Sequence, residues 1–164
     1  MRDLKGQKSL SILKKNWTVA ELQVTYRPKN KTGVKVTCSN EAYQVFRQMW
    51  DKSLINIQEQ FCALYLNQAN EVIGFRLIST GKVTSNTVDV QLMFACALIS
   101  RASVIMLAHN HPSGNLKPSA EDKRLTWQLK ELARKFDFRI IDHLVITQDY
   151  YTSFADEGII FKAD

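Results

Sequence analysis

The sequence lacks the cysteine content of a disulfide-stabilised protein. Only three of its 164 residues are cysteines, and Cys38, Cys62 and Cys96 are widely separated in apolar surroundings. Proteins that depend on disulfides carry a dense and even set of cysteines, and thiolate zinc sites place them in closely spaced pairs. The sequence therefore excludes both, and it predicts reduced, buried thiols in a cytosolic protein.

The sequence also lacks a long hydrophobic run. A membrane-spanning helix needs about 20 consecutive apolar residues, and no segment approaches that length. The apolar stretch within the first 15 residues is too short for a signal peptide. We therefore expect a cytoplasmic protein without membrane contact, and the length suits one domain with a sizeable core.

Acidic residues are in deficit, with 16 Asp and Glu against 22 Lys and Arg and a net charge of +6. The basic residues are scattered, with small clusters at Lys14–Lys15, Arg27–Lys35 and Arg134–Lys135. A dedicated nucleic-acid surface concentrates its charge and carries a recognition motif. The pattern favours a solvated basic surface, and we expect at most weak, non-specific DNA binding.

Two parts of the chain differ in pattern. Residues 1–38 form a basic arm with strand-like runs over 17–28 and 34–38, and residues 39–164 show the alternation of a folded domain. The elements predicted in the second part are, in chain order, a helix from Ser39, a hairpin over 59–67 and 71–80, a buried helix over 85–100, a central strand over 102–108, a helix from Ser119, a strand over 138–147 and a small edge element. Because strands and helices alternate, we expect an α/β domain with helices on each side of a sheet.

One loop, "AHNHPSGNLKPSAED" over 108–122, carries the chemistry. His109 and His111 leave the end of a strand, where residues two apart project to the same side. Prolines and a glycine turn the chain, and Ser119 and Asp122 follow where a helix begins. Two histidines and one aspartate can hold a zinc ion with a fourth position open for water, which is typical of a catalytic site. Such a site also needs a carboxylate that moves protons without binding the metal.

Each half of this pattern also has an ordinary explanation. Ser119 and Asp122 have the spacing of a helix N-terminus, with a serine cap and an acid in the first turn. A His-x-His pair in a loop is common on protein surfaces. The residues alone leave both interpretations open, and the cap and ligand roles are compatible.

"HNHPSGNLKPSAED" resembles the His-x-His-Pro-(x)6-Ser-x-x-Asp signature of the JAB/MPN metalloprotease superfamily, and more narrowly the RadC family, whose members are described as DNA repair proteins. The words "EQFCALYLN", "ISTG", "IDHLVIT" and "YYTSFADEG" extend the similarity from about Ser39 to the C-terminus. The chain is most similar to short RadC-like proteins of bacterial genomes and mobile elements. These lack the N-terminal helix-hairpin-helix region of longer relatives, and residues before Ser39 show no such pattern.

The resemblance implies a set of site residues and a fold. His109, His111 and Asp122 would bind zinc, and Ser119 would help to stabilise the oxyanion. Glu59, at the head of "EQFCALYLN", would act as general base and acid. The implied fold is similar to that of the cytidine deaminases, with a mixed sheet between helices and zinc at the end of a central strand.

Three further residues are weighed against this set. Glu71 begins the partner strand and is a weaker substitute for Glu59. Asp142–His143 belongs to the RadC-type pattern but not to the wider superfamily, and His143 is interpreted as a core residue or a support for a ligand. Gln91 stands where many relatives carry a charged residue, which puts any charge pair there in doubt.

Two functions follow from the resemblance. The first is a zinc metallopeptidase or isopeptidase that acts on an unknown protein or peptide, favoured because a structural zinc would not need Glu59. The alternative is a non-enzymatic DNA-repair or mobile-element accessory protein. A deaminase is disfavoured because the chain has neither Pro-Cys-x-x-Cys nor His-x-Glu.

Overall fold

The computed structural model of the chain describes residues 23–28, 33–84 and 87–161. The helices are α1 (Ser39–Met49), α2 (Val90–Ser100) and α3 (Ala120–Arg134). The strands are β1 (Gln60–Leu66), β2 (Val72–Thr80), β3 (Val104–Asn110), β4 (Arg139–Ile146) and β5 (Tyr151–Ser153), and a turn of 3₁₀ helix follows at Ile159–Phe161.

The five strands form one mixed sheet in the order β2-β1-β3-β4-β5. β1 pairs antiparallel with both β2 and β3, β3 runs parallel to β4, and β5 pairs antiparallel with β4. β3 lies in the middle, and every residue of β1 and β3 is buried. The predicted hairpin and the predicted central strand are both confirmed.

Helices cover both faces of the sheet, because successive side chains of a strand point to opposite faces. One face packs against α1 through Ala42, Tyr43 and Phe46. The other face packs against α2 and α3, whose buried apolar residues are Met93, Phe94, Ala97, Leu125, Leu129 and Ala133. The predicted α/β class, a mixed sheet flanked by helices on both sides, is confirmed.

The connection from β3 to α3 runs along the edge where β3 and β4 end. His111 N–H donates to the carbonyl of Ile146, so the loop starts attached to the end of β4. It ends at Ser119, the N-cap of α3, which forms a capping box with Asp122. In open sheets with parallel strands, the carboxyl ends of the strands are the usual place for ligands.

Helix α2 differs from its prediction. It begins at Val90 rather than at residue 85, because the Asp89 carboxylate accepts a hydrogen bond from Leu92 N–H at 2.8 Å and caps it there. An apolar sequence predicts burial all round, but Leu98 is 53% exposed. The helix lies on the outside of the sheet, so only one stripe of it contacts the core.

The N-terminal part also differs. Residues 34–38 do not form a strand and make only an isolated bridge between Lys35 and Glu71, while 23–28 have no regular structure. The rest of the predicted arm, with its 17–22 strand segment and the Lys14–Lys15 cluster, lies outside the described residues. Among the free cysteines only Cys62 is buried, and Cys38 is exposed, so uniform burial was wrong. Within the described residues, no helix has the length and apolar character needed to cross a membrane.

Candidate metal centre

Three predicted ligands converge at the end of the central strand. His109 is the penultimate residue of β3, His111 follows the strand, and Asp122 lies in the first turn of α3. His109 and Asp122 are buried, and the His111 side chain is 16% exposed. The capping box explains why Asp122 faces the histidines, because the Ser119 N–H donates to its Oδ2 at 2.7 Å and fixes the carboxylate.

The distances fit a single small cation. The Nε2 atoms of His109 and His111 are 3.0 Å apart, and they lie 3.5 and 3.8 Å from Asp122 Oδ1 and Oδ2. A tetrahedral zinc with ligands about 2.05 Å away separates those ligands by about 3.3 Å. One donor atom from each residue falls within 4.8 Å of the others. The group His109, His111 and Asp122 could therefore hold a metal ion.

The electrostatics of Asp122 favour its anionic form. Burial raises the pKa of the carboxyl group, but hydrogen bonds and charge interaction with His109, and hydrogen bonds from Ser119, outweigh burial and hold the pKa well below its ordinary value. An ionised carboxylate is the state in which aspartate binds a metal.

Ser119 lies next to the ligands and serves as the cap of α3. Its Oγ accepts a hydrogen bond from Asp122 N–H at 3.1 Å. The cap interpretation of the sequence is thus correct, and it coexists with the convergence of the ligands. The oxyanion role of Ser119 stays a prediction.

Glu59 directly precedes β1 and lies at the same end of the sheet as the histidines. Phe61 pairs with His109 across the sheet, and alternation of side chains puts Glu59, Phe61 and His109 on one face. The Glu59 carboxylate is half-buried, and its Oε2 accepts a hydrogen bond from Val83 N–H at 2.8 Å. Within the part of the chain that the structure describes, Glu59 does not belong to the three-residue metal group. That separation is what a proton-moving carboxylate requires.

Glu71 lies at the opposite end of the sheet. It adjoins the pair Leu66–Val72 at the far end of β1, and seven strand residues span about 20 Å. Its carboxylate accepts a hydrogen bond from the Asn67 side chain instead. Glu71 therefore cannot substitute for Glu59 at this centre.

Asn110 is a site-shaping residue that the sequence interpretation missed. Its buried Oδ1 accepts a hydrogen bond from Gln60 N–H at 2.6 Å, and its Nδ2 donates to the carbonyls of Ile55 and Gln58. These bonds tie the segment on either side of Glu59 to β3. The only signal in the sequence was its position between the two histidines, where alternation turns its side chain to the other face.

His143 contacts a candidate ligand and, among the described residues, lies outside the three-residue metal group. Its Nε2 lies 2.8 Å from Nδ1 of His109, on the side of that ring that faces away from His111. Burial lowers the pKa of His143 well below its ordinary value, with the charges of the histidines acting in the same direction. It is held between the rings of Phe61 and Phe154.

Asp142, the other half of the Asp–His pattern, anchors the following segment. Its carboxylate accepts hydrogen bonds from Ser153 Oγ and from the backbone N–H groups of His143 and Ala155. Those bonds hold the chain around Phe154 against His143. In the Asp142–His143 pair, His143 therefore contacts a candidate ligand, and Asp142 fixes the segment that packs against His143.

Comparison with known proteins shows which family the chain resembles. A family model described as the RadC-like JAB domain matches residues 36–159. A UPF0758 protein of Flavobacterium johnsoniae is 39% identical over 125 residues, which is 76% of this chain and 53% of that protein. The UPF0758 protein YfjY of Escherichia coli strain K12 is 37% identical over 103 residues, covering 63% of this chain and 64% of that protein.

A UPF0758 protein of Porphyromonas gingivalis is 43% identical over 104 residues, covering 63% of this chain and 46% of that protein. The chain spans about half the length of the first relatives it matches. The family match covers most of the sequence and includes the candidate metal centre. The chain therefore belongs to the RadC-like JAB domain family.

Proposed function

We propose that this protein is a zinc-dependent hydrolase of amide bonds, a metallopeptidase or isopeptidase acting on a protein or peptide. The observation that carries the proposal is the convergence of two histidine nitrogens and an anionic carboxylate at the end of β3, with Glu59 directly before the neighbouring strand β1. A purely structural site has no need of the additional carboxylate or of an open coordination position.

The metal would be held by Nε2 of His109, Nε2 of His111 and a carboxylate oxygen of Asp122. Nitrogen and oxygen donors in this number and at this spacing suit zinc. When bound, zinc supplies a Lewis acid that polarises a carbonyl and lowers the pKa of a water molecule towards 7.

The chain's own residues would handle the protons. Glu59 would accept a proton from the attacking water and deliver it to the leaving amine. Val83 N–H and the Asn110 bonds to the 55–60 segment keep Glu59 in place for this role. Ser119 would donate a hydrogen bond to the developing oxyanion, a contribution of about 3 kcal/mol for a donor of this kind.

The first test is metal content. Protein purified without chelator should contain about one zinc per chain, as expected for a three-ligand site. Elemental analysis of the wild type and of the double variant His109→Ala, His111→Ala decides the matter, with Glu71→Gln as a control at the far end of the sheet. Zinc at wild-type occupancy in the double variant would place the metal elsewhere and refute the centre.

The second test is activity. A library of peptides and lysine-linked isopeptides, screened with the zinc-loaded wild type and Glu59→Gln in parallel, should yield substrates that only the wild type cleaves. An active wild type with an equally active Glu59→Gln would refute the proton-moving role. A protein that holds zinc but cleaves nothing in the library would favour the accessory-protein alternative.

A DNA-binding measurement is a further test that distinguishes the metallopeptidase from the accessory protein. We expect weak binding that disappears as salt rises, because scattered charges give only a non-specific electrostatic attraction. Titration of labelled duplexes at two salt concentrations measures it. Tight binding that persists at high salt, or preference for one sequence or junction, would support the accessory-protein function.

A further inference from the structure

A chain of buried hydrogen bonds starts on one candidate ligand and ends on another. The Thr126 hydroxyl donates to the carbonyl of Asp122 at 2.6 Å, and the same Oγ1 lies 2.5 Å from Nδ1 of His143. His143 Nε2 is in turn 2.8 Å from Nδ1 of His109. The side chains of Thr126, His143 and His109 are all almost completely buried, so no bulk solvent competes for these contacts.

The positions of the protons in this series of hydrogen bonds follow from the groups at its two ends, His109 and the Asp122 carbonyl. His109 can bind a cation through Nε2 only when that nitrogen carries a lone pair, and a neutral imidazole then has its proton on Nδ1. This N–H donates to His143 Nε2, which must accept and therefore leaves the His143 proton on Nδ1. That N–H donates to Thr126 Oγ1, whose own proton goes to the carbonyl of Asp122. A carbonyl oxygen can only accept, so the order of donors ends there.

The opposite order would disable the centre. If Thr126 donated to His143 Nδ1, the proton of His143 would sit on Nε2 and donate to His109 Nδ1. His109 would then carry its proton on Nε2, the atom that faces His111 and Asp122. A protonated nitrogen has no lone pair for a cation. The Thr126 hydroxyl distinguishes the two orders, because its own proton is given to the Asp122 carbonyl and its oxygen is then left to accept from His143 Nδ1.

His111 is held in the same tautomer without a series of side-chain hydrogen bonds. Its Nδ1 lies 2.5 Å from the carbonyl oxygen of Asn115, which can only accept. The proton of a neutral His111 is thus held on Nδ1 by the backbone, and Nε2 is left for the cation. Both candidate ligand histidines therefore present Nε2, one through a direct backbone acceptor and the other through two side chains.

We propose that Thr126 and His143 are positioning residues that set the tautomer of His109 for metal binding. This inference rests on the metal centre proposed above. The series of hydrogen bonds ends on the Asp122 carbonyl, so it connects the candidate ligand from β3, His109, with the candidate ligand from α3, Asp122. Removal of the Thr126 hydroxyl, with the shape of the side chain retained, deprives His143 Nδ1 of its acceptor and favours the disabling order.

The test compares Thr126→Val with Thr126→Ser. Valine has the shape of threonine without the hydroxyl, and serine keeps the hydroxyl. Changes in residues that support metal ligands lower metal affinity about 10- to 100-fold, so Thr126→Val should bind zinc that much more weakly, while Thr126→Ser stays within a few-fold of wild type. Competition with a chromophoric zinc chelator gives the affinities, and thermal unfolding of the metal-free proteins checks that each variant is folded.

A second readout needs no variant. Long-range ¹⁵N–¹H spectra of the zinc-loaded wild type should show the protons of His109 and His143 on Nδ1 in both rings. A proton on Nε2 of His143 overturns the inference, and so does Thr126→Val binding zinc as tightly as wild type. If instead the wild type binds no zinc that depends on His109 and His111, the metal centre itself is refuted and this inference falls with it.

Discussion

The two histidines of the centre are held by different kinds of structure. His109 belongs to the central strand, is almost completely buried and contacts His143 behind it. His111 lies in a loop, is partly exposed and is oriented by a backbone carbonyl within the same turn. One candidate ligand is therefore oriented by tertiary packing and the other by local chain geometry. We expect substitutions around His109 and substitutions around His111 to differ in their effects on stability and on metal binding.

The largest expected effect is the removal of either histidine. His109→Ala should abolish zinc binding and destabilise the protein by about 1–3 kcal/mol, because His143 is left buried without its partner. His111→Ala should also abolish zinc binding but change stability by only about 0.5 kcal/mol, as is usual for a partly exposed side chain. Urea unfolding in chelator, together with zinc analysis, measures both. Equal stability losses would contradict the contrast between the two sides.

The carboxylates extend the comparison. Glu59→Gln should keep zinc and lose about 10²- to 10⁴-fold in activity, because glutamine cannot accept a proton in general acid–base catalysis. Asp122→Asn should lose zinc first, since an anionic ligand is removed. Zinc occupancy and cleavage rate are measured for both variants. Loss of zinc in Glu59→Gln with retention in Asp122→Asn would mean that the roles are reversed.

The buried side of the site should also show itself as a pH dependence of stability. The pKa of folded His143 lies well below the ordinary value of 6.5, so below that pH the unfolded chain binds a proton that the folded chain does not. Stability should be complete above pH 6.5 and fall by up to about 1.4 kcal/mol per pH unit below it. Urea unfolding of metal-free protein between pH 5 and 7 gives the slope.

The matched variant for this slope is His143→Gln. Glutamine does not titrate. The free energy of unfolding should therefore change less steeply with pH between 5 and 7, by the contribution of about one proton. The carboxyl of Asp122 does not interfere, because its depressed pKa costs stability only when pH falls below about 4. An unchanged slope in His143→Gln would assign the pH dependence to other groups.

The smallest effect is expected on the loop side. Gly114 adopts a φ of 77°, and a Cβ added there would meet no atom within 4 Å. Gly114→Ala should therefore cost about 1 kcal/mol from backbone strain alone. Zinc affinity should fall only a few-fold, through the turn that carries the Asn115 carbonyl. A loss of zinc affinity as large as that expected for Thr126→Val would show that the loop around His111 matters as much for metal binding as the buried contacts of His109.

Local patterns in the sequence were sufficient for part of this description. The spacing of Ser119 and Asp122 predicted the cap, because a capping box involves residues only three apart. β3 and the two histidines at its end, His109 within the strand and His111 just after it, were predicted from a short apolar run followed by turn residues. The spacing of apolar residues in α3 does not give its buried face, since Leu132 is exposed and the polar Thr126 is buried. Helical spacing identifies a stripe, but the neighbouring strands decide which positions it includes.

The sequence by itself determined the α/β class, the capped start of α3 and the three residues that could bind a metal. Each of these depends on residue type and on contacts between near neighbours. Only the tertiary structure decided that His143 lies behind His109, that Asn110 fixes the segment around Glu59, and that Glu71 is remote. The contacts of His143 and Asn110 join residues 34 to 55 positions apart in the chain, through the pairing of β1 with β3 and of β3 with β4. The register of a sheet sets such distances, and no short-range spacing in the sequence contains it.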